Sequence, residues 1–514
     1  MSAVQKLLAI AAAIALAAFA VGCSGTRAGD PLAAGRRVTL YGADAGDNAG
    51  AIAAGDFNGD GVLDVVLAAA GAGGPDNARP ESGEAYMFLG PFSPGERRDP
   101  AEGQHDLVIY GDQAGDQLGR ALAAGDFNGD GIDDIALGAP FADGTDETRP
   151  DSGQVDIVLG SARLGDETRR LDLAEGPQFA AVIGADADDL AGFALHAADL
   201  NGDGASDLII GAFRADGPGN NRLNAGELYV IYGGNAIGRI DIAAGQQDVT
   251  VYGAEAEDRL GEAVGAGDVS GDGLADVIVA ATFASGPDNR RDKAGETYVL
   301  FAPLQRELDM AARTQDMTIL GIDSGDQIGH SIASGDANGD GFADIFLGAV
   351  SADGPNNGAD LAGEAYLIRG GDSSSGVIEA ADGAAALIYG AGHTYRLGRS
   401  AASGDINGDG LSDFVIAAPD VAAGNGSRSK AGAVYVFYGR KEDPYPVTTS
   451  GADVTLEGLD GGDILGHEAF GMPPLATADV NDDGLADVLV SAPSADGPRN
   501  RRQDSGEAYL ILSE

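Results

Sequence analysis

Four kinds of short apolar segment follow one another along the chain in a fixed order, with polar and glycine-rich turns between them. The first kind is small and alternating, as in Ala51-Ile52-Ala53-Ala54-Gly55 and Ser331-Ile332-Ala333-Ser334-Gly335. The second is β-branched and apolar, as in Asp64-Val65-Val66-Leu67 and Asp207-Leu208-Ile209-Ile210. The third opens on Gly-Glu and carries a tyrosine, as in Gly83-Glu84-Ala85-Tyr86 and Gly226-Glu227-Leu228-Tyr229; the second unit has Asp156 in the tyrosine's place. The fourth ends in glycine, as in Val38-Thr39-Leu40-Tyr41-Gly42 and Val249-Thr250-Val251-Tyr252-Gly253. Short alternating or β-branched runs bounded by turn residues are strands. Four strands repeated seven times predict an all-β, seven-bladed β-propeller of four-stranded blades, with the small first strand on the crowded axis. The chain enters on a fourth-type strand (Val38–Gly42) and ends on a third-type strand (Gly506–Leu512), so the ring closes when the N-terminal strand joins the last blade. Three segments follow: a leader over 1–23, a linker over 24–37 and the propeller over 38–514.

Between the first and second strands of every unit lies a nine-residue loop of the form D-x-N-x-D-G-x-x-D, recurring every 68 to 74 residues. Oxygen-bearing side chains at alternate positions around a glycine suit a hard cation, and calcium takes 6–8 oxygen ligands. The ligand set is Asp56, Asn58, Asp60 and Asp64 in the first loop and Asp126, Asn128, Asp130 and Asp134 in the second. It continues as Asp199, Asn201, Asp203 and Asp207; Asp268, Ser270, Asp272 and Asp276; Asp336, Asn338, Asp340 and Asp344. The last two sets are Asp405, Asn407, Asp409 and Asp413, then Asp479, Asn481, Asp483 and Asp487. The carbonyl of position seven (Val62 in the first loop) completes each set. One copy alone reads as a polar turn. Seven copies are different: a turn has no need of Asp at position nine, and three clustered carboxylates repel one another without a cation. Up to seven Ca²⁺ ions are expected, with a structural role. Ser270 weakens the fourth loop, and Asp482 replaces the usual glycine in the seventh.

These motifs resemble FG-GAP repeats, the units of the integrin α-subunit propeller and of bacterial surface proteins. The Gly-Ala-Pro element stands at Gly138-Ala139-Pro140 and is relaxed to Ala417-Ala418-Pro419 and Ser491-Ala492-Pro493. The Phe-Gly element is mostly Leu-Gly, at Leu118-Gly119, Leu260-Gly261 and Leu397-Gly398, and becomes Asn48-Ala49-Gly50 in the first unit. The resemblance implies the same fold and the same calcium ligands. No inserted adhesion domain is present, so integrin-type signalling is not implied.

The ends and the charge refine this picture. Lys6 followed by an apolar run from Leu7 to Val21 has the layout of an export signal. Ala20-Val21-Gly22-Cys23 resembles a bacterial lipoprotein box in which Cys23 would be lipidated, placing the protein on the outer membrane or cell surface. Ala18-Phe19-Ala20 instead offers a site for plain secretion, and an uncleaved anchor is a third reading. Cys23 is the single cysteine of the 514 residues, so disulfides hold nothing together. With 81 acids against 31 bases the formal charge is −50, which repels a phosphate backbone and excludes nucleic acid as a partner. The acidity also fits a salt-adapted surface.

Strand direction alternates within a blade, so the face opposite the metal loops carries the two–three and four–one loops. There the text Ala142-Asp143-Gly144, Ala215-Asp216-Gly217-Pro218, Ala352-Asp353-Gly354-Pro355 and Ala495-Asp496-Gly497-Pro498 recurs, with arginines at Arg290-Arg291 and Arg501-Arg502. These residues read either as turns with locally paired arginines or as a ring that grips a partner. His105, His196, His330, His393 and His467 are scattered, with His330 and His467 read as loop residues, and no nucleophile–base signature is present. The reading is a non-catalytic, monomeric, calcium-binding adhesion or binding module. Its partner would be an extracellular or envelope protein or glycan, and the membrane would be met through the N-terminal lipid alone. The rivals are a propeller enzyme of glycan-hydrolase type, which would need paired carboxylates at the axis, and a scaffold subunit of an envelope complex.

Overall fold

A computed structural model describes residues 36–513, apart from 145–147, 166–168, 176–179, 235–237, 287–288, 372–375, 425, 442–444 and 468–473. The segment expected to be a leader and Cys23, the expected lipidation residue, lie outside the described residues. Seven antiparallel sheets form a ring. Their innermost strands, in order, are Ala51–Gly55, Leu122–Gly125, Ala194–Ala198, Leu260–Gly267, Ile328–Gly335, Ala401–Gly404 and Leu475–Ala478. These define blades one to seven. In blade one the further strands are Asp64–Ala69, Glu84–Phe88 and Leu107–Tyr110, paired in sequence order. The four expected strand types occupy the four expected places.

Closure follows the expected route. Strand Arg37–Tyr41 pairs antiparallel with Glu507–Ile511, with Leu40 opposite Ala508 and Val38 opposite Leu510. It thereby becomes the fourth strand of blade seven. No sheet of the ring is left without its outer strand, which removes an edge that would otherwise pair with other chains.

The core is divided into seven apolar clusters, each shared by two adjacent blades. Between blades one and two, Val66, Met87 and Ile109 pack against Leu122, Ile135 and Leu137. Between blades two and three, Val155, Ile157 and Val182 meet Leu208, Ile210 and Tyr229. The third-strand tyrosines fill these wedges, and the buried hydroxyls of Tyr229, Tyr298 and Tyr509 donate to Glu227, Glu296 and Glu507 at 2.6–2.7 Å. A buried tyrosine hydroxyl needs such a partner, which explains the Gly-Glu start of the third strand.

Five of the seven blades exceed the expected four strands. In each case the connection between the third and fourth strands of one blade swings sideways and adds a short parallel strand to the preceding blade. Arg170–Asp172 of blade two pairs with Leu107–Tyr110 of blade one, and Glu307–Asp309 of blade four pairs with Val249–Tyr252 of blade three. Blade five receives one bridge, between Tyr389 and Thr448, and blade six has four strands. Among the described residues no helix is long and apolar enough to cross a membrane.

Candidate metal loops and the opposite face

All seven loops connect an innermost strand to its neighbour and lie on one face of the ring. Their local geometry is carried by side chain-to-backbone bonds. In the second loop, Asp126 accepts from the amides of Gly129, Asp130 and Gly131 at 2.7–3.0 Å. In the third, Asn201 accepts from Asp203, and Asp203 accepts from Ala205. Such Asx turns are what Asp and Asn offer a tight loop. The glycines at positions four and six take positive φ, as Gly59 (72°) and Gly61 (86°) do in the first loop. Asp482 at position four of the seventh loop adopts the same region at φ 59°, at a cost of roughly 1–2 kcal/mol for a residue with a Cβ.

Position nine is the exception to this exposed pattern. Asp64, Asp134, Asp207, Asp276, Asp344, Asp413 and Asp487 are each 0% exposed. Asp134 accepts from the Phe127 amide at 3.1 Å and from the Gly160 amide, beyond the third strand, at 2.8 Å. Asp207, Asp413 and Asp487 bind the equivalent pairs of amides. The ninth Asp therefore staples its loop to the end of strand three. That corrects the sequence argument at one point: the turn does use an Asp at position nine, for reasons that hold without a cation. Burial pushes Asp64, Asp413 and Asp487 up to about 7 and Asp134 and Asp207 up to about 6; the position-five Asp pushes the same way in all five, and the position-one Asp does so in all but Asp413.

The donors are all oxygens, as a hard cation requires. Asp64 Oδ2 is buried and takes no hydrogen bond, so one acceptor of the first loop is open to a cation. Among the described residues no group of three His, Cys, Asp or Glu side chains is gathered about one point. The fifth loop stands apart because Arg369 pairs with Asp344 at 2.5 Å and supplies a positive charge of its own. Neighbouring loops are also coupled. The amide of Asp133 donates to the carbonyl of Asp56, and that of Ser206 to the carbonyl of Asp126. Ile132 lies over Gly59, where a Cβ would meet it at 3.0 Å.

On the opposite face the recurrent Asp-Gly loops turn out to be closed on themselves. Asp216 accepts from the Asn224 amide and Asp496 from the Asp504 amide, each eight residues on. In five of these loops the arginine pairs with an acid across blades rather than locally, while Arg428 of blade six pairs with Glu457 of its own blade. Arg222 forms two 2.7 Å bonds to Asp309, on the strand that the next blade adds, and a third to the Gly253 carbonyl. Arg79–Asp172, Arg149–Asp241, Arg291–Glu379 and Arg502–Asp99 repeat the tie at 2.6–2.8 Å. Sequence reading missed this device, though the signal was there. Each arginine falls twenty-three residues after the first Asp of its metal loop, as in Asp56 to Arg79 and Asp199 to Arg222. The fifth unit has Ala359 at that place, and Thr448 and Thr449 stand where the acid would be.

The axial channel encloses about 480 Å³ and is lined by the small first strands, including Ala53, Ala123 and Ala402. His196 faces it from blade three, and burial pushes its imidazole down to about 4. Ser334 and Ser403 bridge adjacent inner strands through carbonyl acceptors. At the channel mouth a cavity of about 130 Å³ brings together Phe193, Glu262, His330 and Arg399. These follow the glycine of the Leu-Gly element in blades three to six. His330 is therefore not a loop residue: it lies within strand Ile328–Gly335.

The FG-GAP repeat model matches residues 48–86, 118–158, 191–231, 260–300, 397–437 and 475–511, which are six of the seven units. The fifth unit, with Arg369 against its ninth Asp, is the one not matched. Integrin alpha pat-2 of Caenorhabditis briggsae is 29% identical over 240 residues, 46% of this chain and 18% of that protein. Phosphatidylinositol-glycan-specific phospholipase D of Bos taurus is 32% identical over 165 residues, 32% of this chain and 19% of that protein. The chain thus spans under a fifth of the length of either. A rhamnogalacturonan lyase of Bacillus licheniformis covers 92% of this chain, and this chain 91% of it, at 11% identity and a TM-score of 0.32.

Proposed function

This chain is an FG-GAP repeat protein with an integrin-α-like propeller, and from that premise we propose that it is a calcium-stabilised, non-catalytic binding module at the cell surface or outside the cell. The observation that carries the reading is a difference between the two faces. On the metal-loop face the seven units are near copies, which suits a structural part. At the opposite channel mouth the sevenfold repetition breaks down: the equivalent residues are Ala51, Arg120, Phe193, Glu262, His330, Arg399 and His467. A specific partner needs an asymmetric surface. The partner is a protein or glycan met through this face. Calcium would be held by the side chains at positions one, three, five and nine, with the fifth loop the weakest because of Arg369. Its role is to neutralise each loop's carboxylates and so couple folding to the ion.

The test uses purified protein with and without a chelator. A fall in melting temperature of many degrees on chelation supports the calcium assignment, and an unchanged one removes it. Capture of an envelope or extracellular partner should be lost when Phe193 and Arg399 are both changed to Ala with the fold intact by circular dichroism. An enzymatic reading has one foothold, the grouping of Glu262, His330 and Arg399 in one cavity. Turnover of a glycan or phosphodiester substrate that vanishes in Glu262→Gln would establish it.

A further inference from the structure

At the rim between blades three and four the molecule opens into a cavity of about 430 Å³, within the ~300–1,000 Å³ range of small-molecule sites. Three departures from the sister blades line it. The fourth strand ends in Tyr41, Tyr110, Tyr252 or Tyr389 in four blades, but here it ends in Leu320. The added outer strand places a charged residue at the equivalent register in the other blades that have one, Arg97, Arg170, Arg239 or Glu307, and Arg170 covers the Tyr110 ring at 5.3 Å. Here that register is held by Val377, which is 67% exposed. The turn before the fourth strand ends in left-handed Gly103 and Gly245 elsewhere, and here in Arg313 at φ 55°.

The wall is amphipathic. Met310, Leu320 and Val377 form an apolar strip of which Val377 is the exposed part, Met310 and Leu320 being 2% and 3% exposed. Facing the same space are Glu255, which takes the Asn289 side-chain amide at 2.6 Å, and Asp258. Gln315 donates to Thr318 at 2.9 Å while its carbonyl oxygen is buried with no partner. We propose that this cavity binds one neutral pyranose unit of a glycan, its C–H face on Leu320, Met310 and Val377 and its hydroxyls on Glu255, Asp258, Asn289 and Gln315. An apolar strip beside convergent acceptors is the pairing a sugar ring presents. Burial pushes Asp258 up to about 7 and raises Glu296, which lessens the wall's charge and favours a neutral ligand over a cationic one. The inference rests on the reading that this face meets the partner.

The test titrates the full chain with methyl glycosides of glucose, galactose and mannose and with N-acetylglucosamine, followed by saturation-transfer NMR. At least one should bind at millimolar concentration. Leu320→Tyr restores the sister residue and fills the cavity. It should weaken binding about tenfold or more, the equivalent of one lost contact of ~1.4 kcal/mol, without lowering the melting temperature. Asn289→Ala should weaken it in the same direction. No binding by the native chain, or equal binding by a folded Leu320→Tyr, overturns the proposal. So does binding of cadaverine in place of the glycosides. If partner capture fails to depend on this face while glycoside binding remains sensitive to Leu320→Tyr, the wider reading falls and the cavity assignment stands.

Discussion

Within one loop, Asp residues of the same chemical type do different work. The ninth is buried and accepts two backbone amides, while the fifth is exposed and braces a turn. Asp134→Asn should therefore destabilise the protein by about 1–3 kcal/mol whether or not calcium is present, because it leaves a buried amide poorly matched. Asp130→Asn should cost little in chelator and lower the stabilisation gained on adding calcium. Thermal unfolding of both variants, in calcium and in chelator, separates the two roles. Position one, three, five and nine were all legible from the spacing, because an Asx turn and an oxygen cage ask for the same residues. Their division of labour was not, since burial at position nine depends on where strand three ends, and no local pattern reports that. The Arg369–Asp344 pair was hidden for the same reason, Asp344 opening the second strand of its blade and Arg369 following the third, twenty-five residues on.

Strands were read correctly because each type has its own alternation, and the small first strand and the tyrosine-bearing third strand fell where the widening wedge wants them. The sideways fifth strand escaped notice. Arg170-Leu171-Asp172 is three residues long, too short to show a period, and its pairing is with another blade. What holds it is the arginine of the preceding two–three loop. Removing one such tie with Arg222→Ala should cost on the order of 1 kcal/mol, since both partners are a quarter or more exposed. A double-mutant cycle with Asp309→Ala should show a coupling of similar size. By contrast Ala359→Arg should add nothing, because Thr448 and Thr449 offer that arginine no acid.

The ring as a whole carries a line of buried acids around the face opposite the metal loops. Burial pushes Asp47 up to about 6, Asp189 to about 8, Asp326 to about 7, and Glu84 and Glu227 to about 7. A carboxyl whose folded value lies above its unfolded value binds more protons in the native state between the two, so stability falls as pH rises through that window. In chelator the melting temperature should thus be higher near pH 5 than near pH 7.5, and the reverse trend would contradict the burial described for these groups. Closure was legible from the order of strand types at the two ends, which needed no geometry. Deleting 36–41 should uncover the edge of Glu507–Ile511 and produce association, visible as a shift in sedimentation.

Blades five and six are the two that lack a full lateral strap, and they are neighbours. Arg428, at the site that ties blades elsewhere, turns back to Glu457 of its own blade. Along this arc, apolar packing such as that of Phe346 on Phe414 (4.8 Å between ring centres) helps carry the join. A ring under tension parts where its hoops are fewest. If the molecule is pulled or nicked while anchored, the first gap should open between the fifth and sixth blades, letting the circle unroll into a crescent while the sealed junction at the chain ends holds.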